Sequence, residues 1–172
     1  MVMPKEIERK FLVLNPEEVL AQDYRIVTNT MTYQSYLATG NSEVRVRHTE
    51  MQDDNNQTID HHYFLTIKHG LGLVRDELEN RISQNTYYQI SDLIPEKHIS
   101  KRRKELSIEI DGVERLVEFD HYEDINTFII EIEFPSEEEA EKFIPPSWFG
   151  KEVTEDKSYK AQNIWKALNN KK

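Results

Sequence analysis

A two-residue alternation of apolar and charged side chains recurs along most of this 172-residue chain and constrains its fold more than any other feature. Successive side chains of a β-strand point to opposite faces, so such runs predict strands with one apolar and one charged face. The runs are rich in Val, Ile, Tyr, Phe and Thr, and short polar or Gly-bearing links separate them. The alternation predicts eight strands, at residues 6–14, 31–37, 43–49, 62–68, 73–82, 101–110, 113–122 and 128–134.

Turn and helix signals lie between these runs. Asp111-Gly112 predicts a tight hairpin, and Gly70 and Gly72 break the chain after a strand. The segment 50–60 is too polar to pack and predicts a flexible hairpin loop. Helical signals occur at residues 16–22, 84–94, 136–143 and 161–168. Mostly antiparallel strands with few helices predict a mainly β (α+β) fold, a closed barrel or a sandwich, in a single domain over residues 1–172.

The charged faces repeat one sign within a strand. Arg45 and Arg47 share a side of one strand, and Glu131 and Glu133 share a side of another. Exposure of these faces to solvent is the ordinary arrangement, and alternation alone favours it. However, like charges two residues apart repel unless an opposite charge lies between them. An inward charged wall needs a charged ligand and ions, and an eight-stranded barrel can hold one small ligand.

Composition narrows the possible partners. The chain has 22 Lys and Arg against 32 Asp and Glu, a net charge of −10, which argues against coating nucleic acid or an anionic membrane. It has no cysteine, and therefore no disulfide, zinc-thiolate site or cysteine nucleophile. No apolar stretch approaches the ~20 residues of a membrane span, and no leader pattern is visible. We therefore expect a cytoplasmic protein without a nucleic-acid or membrane partner.

The opening run Glu6-Ile7-Glu8-Arg9-Lys10 resembles the Glu-x-Glu-x-Lys signature of the CYTH superfamily, the triphosphate tunnel metalloenzymes. Later segments resemble that family's motif strands in the same order, from a paired-arginine strand to a closing basic motif. They lie at residues 44–47, 65–68, 75–79, 101–103, 117–120, 130–134 and 152–159. The resemblance implies an eight-stranded antiparallel β-barrel tunnel with a few packed helices and with the charged faces inward.

The resemblance implies that the basic residues on these faces bind a small-molecule triphosphate. Arg offers a planar fork that contacts two oxygens, and Lys offers a compact charge. The implied substrate-binding residues are Lys10, Arg45, Arg47, Lys68, Arg75, Lys101, Arg103 and Lys157.

The carboxylates on the same faces imply Mg²⁺ or Mn²⁺ as cofactor, since these hard cations prefer oxygen ligands. By resemblance, one ion bridges carboxylates and phosphates and a second activates the attacking water. The implied metal ligands are Glu6, Glu8, Glu118, Glu131 and Glu133, and Lys10 completes the implied catalytic set. Glu77, Glu79 and Asp120 are either further members of this set or partners of neighbouring cations.

Some positions depart from the family pattern or from its motifs. Lys157 stands where many relatives carry Arg, and Lys104 follows Arg103 where an aromatic residue is often found. His61 and His62 border the polar loop and are interpreted as solvated histidines.

Several reactions are compatible with the resemblance, because the family includes inorganic, thiamine and RNA triphosphatases and class IV adenylyl cyclases. The opening and closing motifs look closest to bacterial members that hydrolyse inorganic tripolyphosphate to pyrophosphate and phosphate, which is the leading hypothesis. A class IV-type adenylyl cyclase, a thiamine or nucleoside triphosphatase, and a non-catalytic triphosphate or polyphosphate binding protein are the alternatives. The family also makes a homodimer plausible.

Overall fold

The computed structural model describes residues 5–70 and 73–170, where nine strands join in one sheet. The strands are β1 (Lys5–Val13), β2 (Tyr24–Ala38), β3 (Ser42–Gln52), β4 (Thr58–His69), β5 (Val74–Arg81), β6 (Ile99–Ile110), β7 (Val113–Tyr122), β8 (Thr127–Glu133) and β9 (Lys151–Glu152). Gly72, one of the two predicted chain breaks, lies outside the described residues.

The sheet closes into an eight-stranded antiparallel barrel in the order β5-β4-β3-β2-β6-β7-β8-β1. β1 closes it, because one edge pairs with β8 and the other pairs with β5, where Glu6 lies opposite Arg75. The short β9 continues along that second edge at Phe11 and Leu12. The predicted barrel is confirmed.

The helices are short: α1 (Pro16–Leu20), α2 (Gln84–Ser91), α3 (Glu137–Lys142) and α4 (Ala161–Asn169). Ser136 caps α3, because its side-chain oxygen accepts the backbone N–H of Glu139 at 3.2 Å. In the described ranges no helix has the length and apolar character needed to cross a membrane.

The barrel is inverted relative to an ordinary one, because its outer wall is apolar. Phe11, Val117 and Ile130 on the outer faces of β1, β7 and β8 are fully buried, in a cluster that also holds side chains of α1 and α3. On the outer face of β3 and β4, Val46 and Tyr63 pack against α2. Helices therefore cover the apolar faces, and the charged faces turn inward.

Helix α4 packs against one end of the barrel. Ile164 and Trp165 lie in a buried cluster with Tyr36, Tyr122 and Ile129 of the barrel strands. Trp165 Nε1 also donates a hydrogen bond to the carbonyl oxygen of Lys97 at 2.7 Å. The start of α4 is thereby held at the edge of the barrel interior.

Several element boundaries differ from the predictions. β2 begins at Tyr24 instead of residue 31, because a bulge between Ile26 and Thr28 keeps the chain paired with β6. The predicted loop 50–60 is also wrong at both ends, since β3 runs to Gln52 and β4 begins at Thr58. Backbone pairing holds these polar residues in strands, and the loop shrinks to residues 53–57.

Turn chemistry explains the β3–β4 and β6–β7 hairpins. Asp53 Oδ1 accepts the backbone N–H groups of Asn55 and Gln57 at 2.9 and 2.8 Å, which stabilises the β3–β4 loop. Asp111 and Gly112 have φ angles of 52° and 76°, as a two-residue β6–β7 turn of the primed type requires.

Candidate active site

The barrel encloses a cavity of about 370 Å³ lined mainly by charged side chains. Its basic residues, within the part of the chain described, are Lys10, Arg45, Arg47, Lys68, Arg75, Lys101, Arg103 and Lys160. Its carboxylates in the same part are Glu6, Glu8, Glu43, Glu77, Glu79, Glu105, Glu118, Glu131, Glu133 and Asp156. All predicted site residues except Lys157 line this one cavity.

The two-residue alternation places most of these side chains on the inward faces of their strands, whereas Asp156 and Lys160 lie outside the strands. Where β1 closes against β5, Lys68 Nζ contacts Glu6 at 2.5 Å. Arg75 donates to Glu6 at 3.0 Å and to Glu8 at 2.8 Å. Glu133 lies opposite Glu8 in the β1–β8 register and forms no ion pair with any residue in 5–70 or 73–170. Burial, together with Glu6 and Glu8, raises the pKa of Glu133.

A second charged cluster lies on β6, β7 and β8 around Arg103. Its guanidinium donates to Asp120 through two bonds of 2.6 Å, donates to Glu131 at 2.7 Å and pairs with Glu118. Burial raises the pKa of Glu118 to about 8, and the negative charges of Glu131 and Asp120 add to this effect.

Glu131 has the opposite electrostatic environment. Burial works against its ionised form, but Lys10, Lys101 and Arg103 hold the pKa of Glu131 well below its usual range. Lys10 Nζ lies 2.6 Å from Glu131. Glu118 and Glu131 lie on neighbouring strands but have pKa values shifted in opposite directions. Glu131 is the one whose pKa the nearby cations lower.

The two arginines of β3, Arg45 and Arg47, lie side by side on the inner face, and each has a hydrogen-bond donor without a partner in the part of the chain described. The Nε atoms of Arg45 and Arg47 are buried and have no partner among the residues described. Arg47 contacts Glu79 at 2.8 Å and stacks over Phe64 at 4.9 Å. Burial and the neighbouring Arg45 lower the pKa of Arg47 to about 10, because both disfavour its charged form. An anion bound beside Arg47 would favour that charged form.

The three carboxylates left open by the sequence have identifiable partners. Glu77 lies 3.1 Å from Lys68, and Glu79 accepts from Arg47. Asp120 is fully buried and holds Lys101 at 2.6 Å as well as Arg103, but it does not line the cavity. Each of them contacts a neighbouring cation.

The structure places Lys157 away from the cavity. Lys157 is exposed and does not line the cavity, whereas Lys160 does. Asp156 accepts the backbone N–H of Ser158 at 3.0 Å and starts a tight turn over Lys157–Tyr159, which leaves Lys157 outside and brings Lys160 in at the start of α4. Burial, together with Arg75 and Lys10, lowers the pKa of Lys160. No alternation exists in this segment, so spacing could not identify the inward lysine.

Some lining residues lie outside the segments that resemble the family motifs. Glu43 lies 4.0 Å from Arg45 and 3.9 Å from Arg75, and its position two residues before Arg45 on the same face was a usable signal. His62, expected to be solvated, lines the cavity. Lys104 is not among the lining residues.

The predicted metal ligands are not gathered into one coordination sphere. Among the described residues, no three cavity carboxylates have oxygens within 4.8 Å of one another. Lys68, Arg75 and Arg103 contact their oxygens instead.

No protein-family model matches the chain. An inorganic triphosphatase of Nitrosomonas europaea is 35% identical to it over 161 residues, which cover 90% of this chain and 93% of that protein. This chain belongs to the inorganic triphosphatase family. The motif resemblance to the bacterial inorganic triphosphatases is thereby confirmed.

Solved structures agree with this family and with the barrel. The crystal structure of the inorganic triphosphatase NE1496 matches with a TM-score of 0.56 and 32% identity, covering 92% of this chain and 96% of that one. A conserved hypothetical protein from Pyrococcus furiosus shares the fold, with a TM-score of 0.50 and 22% identity over 80% of this chain and 84% of that one.

Proposed function

We propose that this triphosphatase hydrolyses inorganic tripolyphosphate to pyrophosphate and phosphate, with Mg²⁺ or Mn²⁺ as cofactor. The observation that carries the proposal is a barrel cavity in which basic residues and carboxylates are interleaved on the inner wall. The relative from Nitrosomonas europaea, named an inorganic triphosphatase, supports the same reaction class.

The basic residues suit a linear triphosphate. The buried Nε atoms of Arg45 and Arg47 have no hydrogen-bond partner among the described residues, so they can donate to phosphate oxygens without losing a bond once the side chains turn towards the substrate. Charge-assisted bonds of this kind are about twice as strong as neutral ones. The proposed phosphate-binding residues are Lys10, Arg45, Arg47, Lys68, Arg75, Lys101, Arg103 and Lys160.

The size of the cavity favours an inorganic substrate. Its volume of about 370 Å³ lies at the lower end of the ~300–1,000 Å³ typical of small-ligand pockets. That space suits a triphosphate chain better than a triphosphate carrying a nucleoside or thiamine.

The donor set fits a divalent cation. Carboxylates outnumber basic groups among the described residues of the wall, and burial together with neighbouring carboxylates raises the pKa values of Glu133 and Glu118. We propose Glu6, Glu8, Glu118, Glu131 and Glu133 as the residues that would hold it. A cation bound there supplies charge neutralisation and makes an attacking water more acidic.

The chain's own contribution is positioning and charge compensation. Phosphoryl transfer needs no covalent nucleophile from the protein, so no serine or cysteine is required. Lys68 and Arg75 form ion pairs with Glu6 and Glu8. Both cations would be free to contact substrate phosphates if a bound metal ion neutralised those carboxylates.

A substrate panel tests the proposal. Phosphate release is measured from tripolyphosphate, pyrophosphate, ATP, GTP and thiamine triphosphate, each with Mg²⁺, Mn²⁺ or a chelator. We expect the highest kcat/KM with tripolyphosphate and no turnover with the chelator. A higher kcat/KM with ATP would overturn the substrate assignment, and chromatography would then separate ADP from cyclic AMP. Tight binding of tripolyphosphate without hydrolysis would instead support a binding protein.

A further inference from the structure

A second cluster of metal-ligating groups lies on the outer wall of the barrel, away from the cavity. The ligating atoms of His48, Glu50 and His61 all lie within 4.8 Å of one another. His48 Nε2 and His61 Nδ1 are 2.9 Å apart. None of the three lines the cavity, and no other group of this kind occurs among residues 5–70 and 73–170.

The strand register builds this cluster. Glu50 lies directly opposite His61 in the β3–β4 pair, and His48 lies two residues before Glu50 on the same face. Three potential ligands therefore meet on two antiparallel strands. The segment that contains Glu50 is held in the sheet, although its polarity predicted a loop.

Neighbouring side chains hold the ligands in place. The ring of Tyr63 stacks on the His48 imidazole, with centroids 4.7 Å apart and an interplanar angle of 16°. Tyr33 packs against the same imidazole at 5.7 Å. Thr58 Oγ1 donates a hydrogen bond to Glu50 Oε2 at 3.2 Å. Outer-shell contacts of this kind orient metal ligands and strengthen metal binding.

We propose that His48, Glu50 and His61 bind one transition-metal dication of the Zn²⁺ class on the outer wall of β3 and β4. Two imidazole nitrogens and one carboxylate form a common Zn²⁺ ligand set, with a fourth position left for water. Mg²⁺ and Mn²⁺ prefer oxygen ligands, so the chemistry separates this site from the carboxylates of the cavity.

Only a small movement is needed to accept the ion. Bonds of ~2.0–2.1 Å in a tetrahedral site place two ligand nitrogens ~3.3 Å apart, against 2.9 Å between the His48 and His61 nitrogens. The hydrogen that now joins the two rings must leave its nitrogen when the ion binds. The histidine that gives it up carries it on its other ring nitrogen instead, so both ligands are neutral imidazoles.

The bound ion would link the outer faces of β3 and β4 near their hairpin. Arg47 and Thr49 lie on the opposite, inward face of the same strand and line the cavity. The site would thus bridge β3 and β4, and β3 is the strand that contains Arg45 and Arg47. It does not depend on the reaction proposed for the cavity.

Zn²⁺ titration tests the site in wild type and in the variants His48→Ala, Glu50→Gln and His61→Ala. Millimolar Mg²⁺ is kept present to occupy the cavity carboxylates. We expect wild type to bind one Zn²⁺ that each variant binds at least ~10-fold more weakly. The control His69→Ala removes an exposed histidine bonded to Ser42 and should bind Zn²⁺ as wild type does.

Electron paramagnetic resonance with Cu²⁺ gives a second, ligand-specific readout. We expect coupling to two imidazole nitrogens in wild type and in His69→Ala, and loss of that pattern in His48→Ala and His61→Ala. A cavity-bound Cu²⁺ could use only the imidazole of His62 among the lining residues, so it would give one imidazole nitrogen at most.

Equal Zn²⁺ affinity in wild type and all three variants would overturn the proposal. A two-nitrogen Cu²⁺ signal that persists in His48→Ala would do the same. Should an alanine variant fail to fold, Glu50→Gln decides the matter, because it keeps the side-chain shape and removes only the charge.

Discussion

Arg75 donates to Glu6 at 3.0 Å and to Glu8 at 2.8 Å, an example of the buried ion pairs that line the cavity. Lys10 and Glu131 form another such pair at 2.6 Å. Buried ion pairs compensate the loss of hydration only when the geometry is good and further hydrogen bonds are made. The residues proposed to bind substrate and those proposed to bind metal therefore stabilise each other until ligands replace these contacts.

Glu8→Gln tests the metal-ligand assignment. Glutamine keeps an oxygen that can accept from Arg75 but removes the negative charge, so the fold should persist while cation binding is lost. We expect turnover of tripolyphosphate to fall by about 100-fold or more, as when one preorganised electrostatic group is removed. Phosphate release and a thermal melt measure the two effects. A rate near that of wild type would show that Glu8 is not needed for catalysis.

Lys160→Ala and Lys157→Ala form a matched pair. Lys160 lines the cavity and Lys157 is exposed, so only the first change removes a positive charge from the substrate path. We expect the KM for tripolyphosphate to rise about tenfold in Lys160→Ala, or roughly 1.4 kcal/mol of binding energy. Lys157→Ala should stay within about twofold of wild type. The opposite ranking of the two KM values would restore the assignment made from the motif.

At the scale of elements, Gly150 connects the packed turn over Ser147–Phe149 with β9. Its φ of 83° is left-handed, and a Cβ at this position would overlap the carbonyl oxygen of Leu12. β9 then pairs with β1, and Val153 donates its backbone N–H to the Lys10 carbonyl at 2.8 Å. These contacts guide the following chain to the cavity edge.

Gly150→Ala and Gly112→Ala compare two left-handed glycines. Gly112 has a φ of 76° but open space around a Cβ, so its alanine variant should lose only about 1–2 kcal/mol of unfolding free energy. Gly150→Ala adds a backbone clash, and we expect it to lose at least ~2 kcal/mol more. Urea denaturation of both variants measures the difference. Equal losses would mean that the chain around Leu12 shifts freely.

At the scale of the whole molecule, the barrel has an apolar outer face and a charged inner face, and both are largely shielded from solvent. Helices α1, α2 and α3 cover apolar outer faces, and the inner wall keeps its charges in a confined space. Burial of charge is costly, and that cost makes stability depend on pH and on bound cations. The single domain over residues 1–172, the homodimer and the cytoplasmic location stay predictions.

One part of the pH dependence of the metal-free protein follows from Glu118. Its folded pKa of about 8 lies above the usual 4.5, so the folded state binds this proton more tightly than the unfolded state does. The stability contributed by Glu118 is therefore complete below pH 4.5 and is lost as the pH rises to about 8. The loss is at most about 1.4 kcal/mol per pH unit across this window.

We expect the Tm of chelator-treated wild type to fall relative to Glu118→Gln between these pH values. Glu131 and Glu79, whose pKa values are lowered, act below pH 4.5 and leave this window unaffected. Addition of Mg²⁺ at high pH should reverse the fall, since a cation stabilises the ionised carboxylates. A Tm difference that is constant with pH would show that Glu118 has an ordinary pKa.

Much of the fold was predictable from local patterns. The alternation located the cores of all eight barrel strands, because side-chain direction in a strand has a period of two. Asp111-Gly112 and Ser136 marked a turn and a helix start through backbone chemistry that acts within a few residues. The same alternation grouped Glu6, Glu8 and Lys10 on one face, where the structure places them.

Tertiary structure was needed wherever the answer depends on distant partners. Alternation assigns residues to a face but cannot say which face is inside, since that depends on helices packing over the apolar wall. The inward position of Lys160, the buried link of Asp120 to Lys101 and Arg103, and the meeting of Glu50 with His61 arise from turn geometry and strand register. The local sequence pattern does not predict these arrangements, because contacts between distant residues of a closed barrel form only when its strands pair.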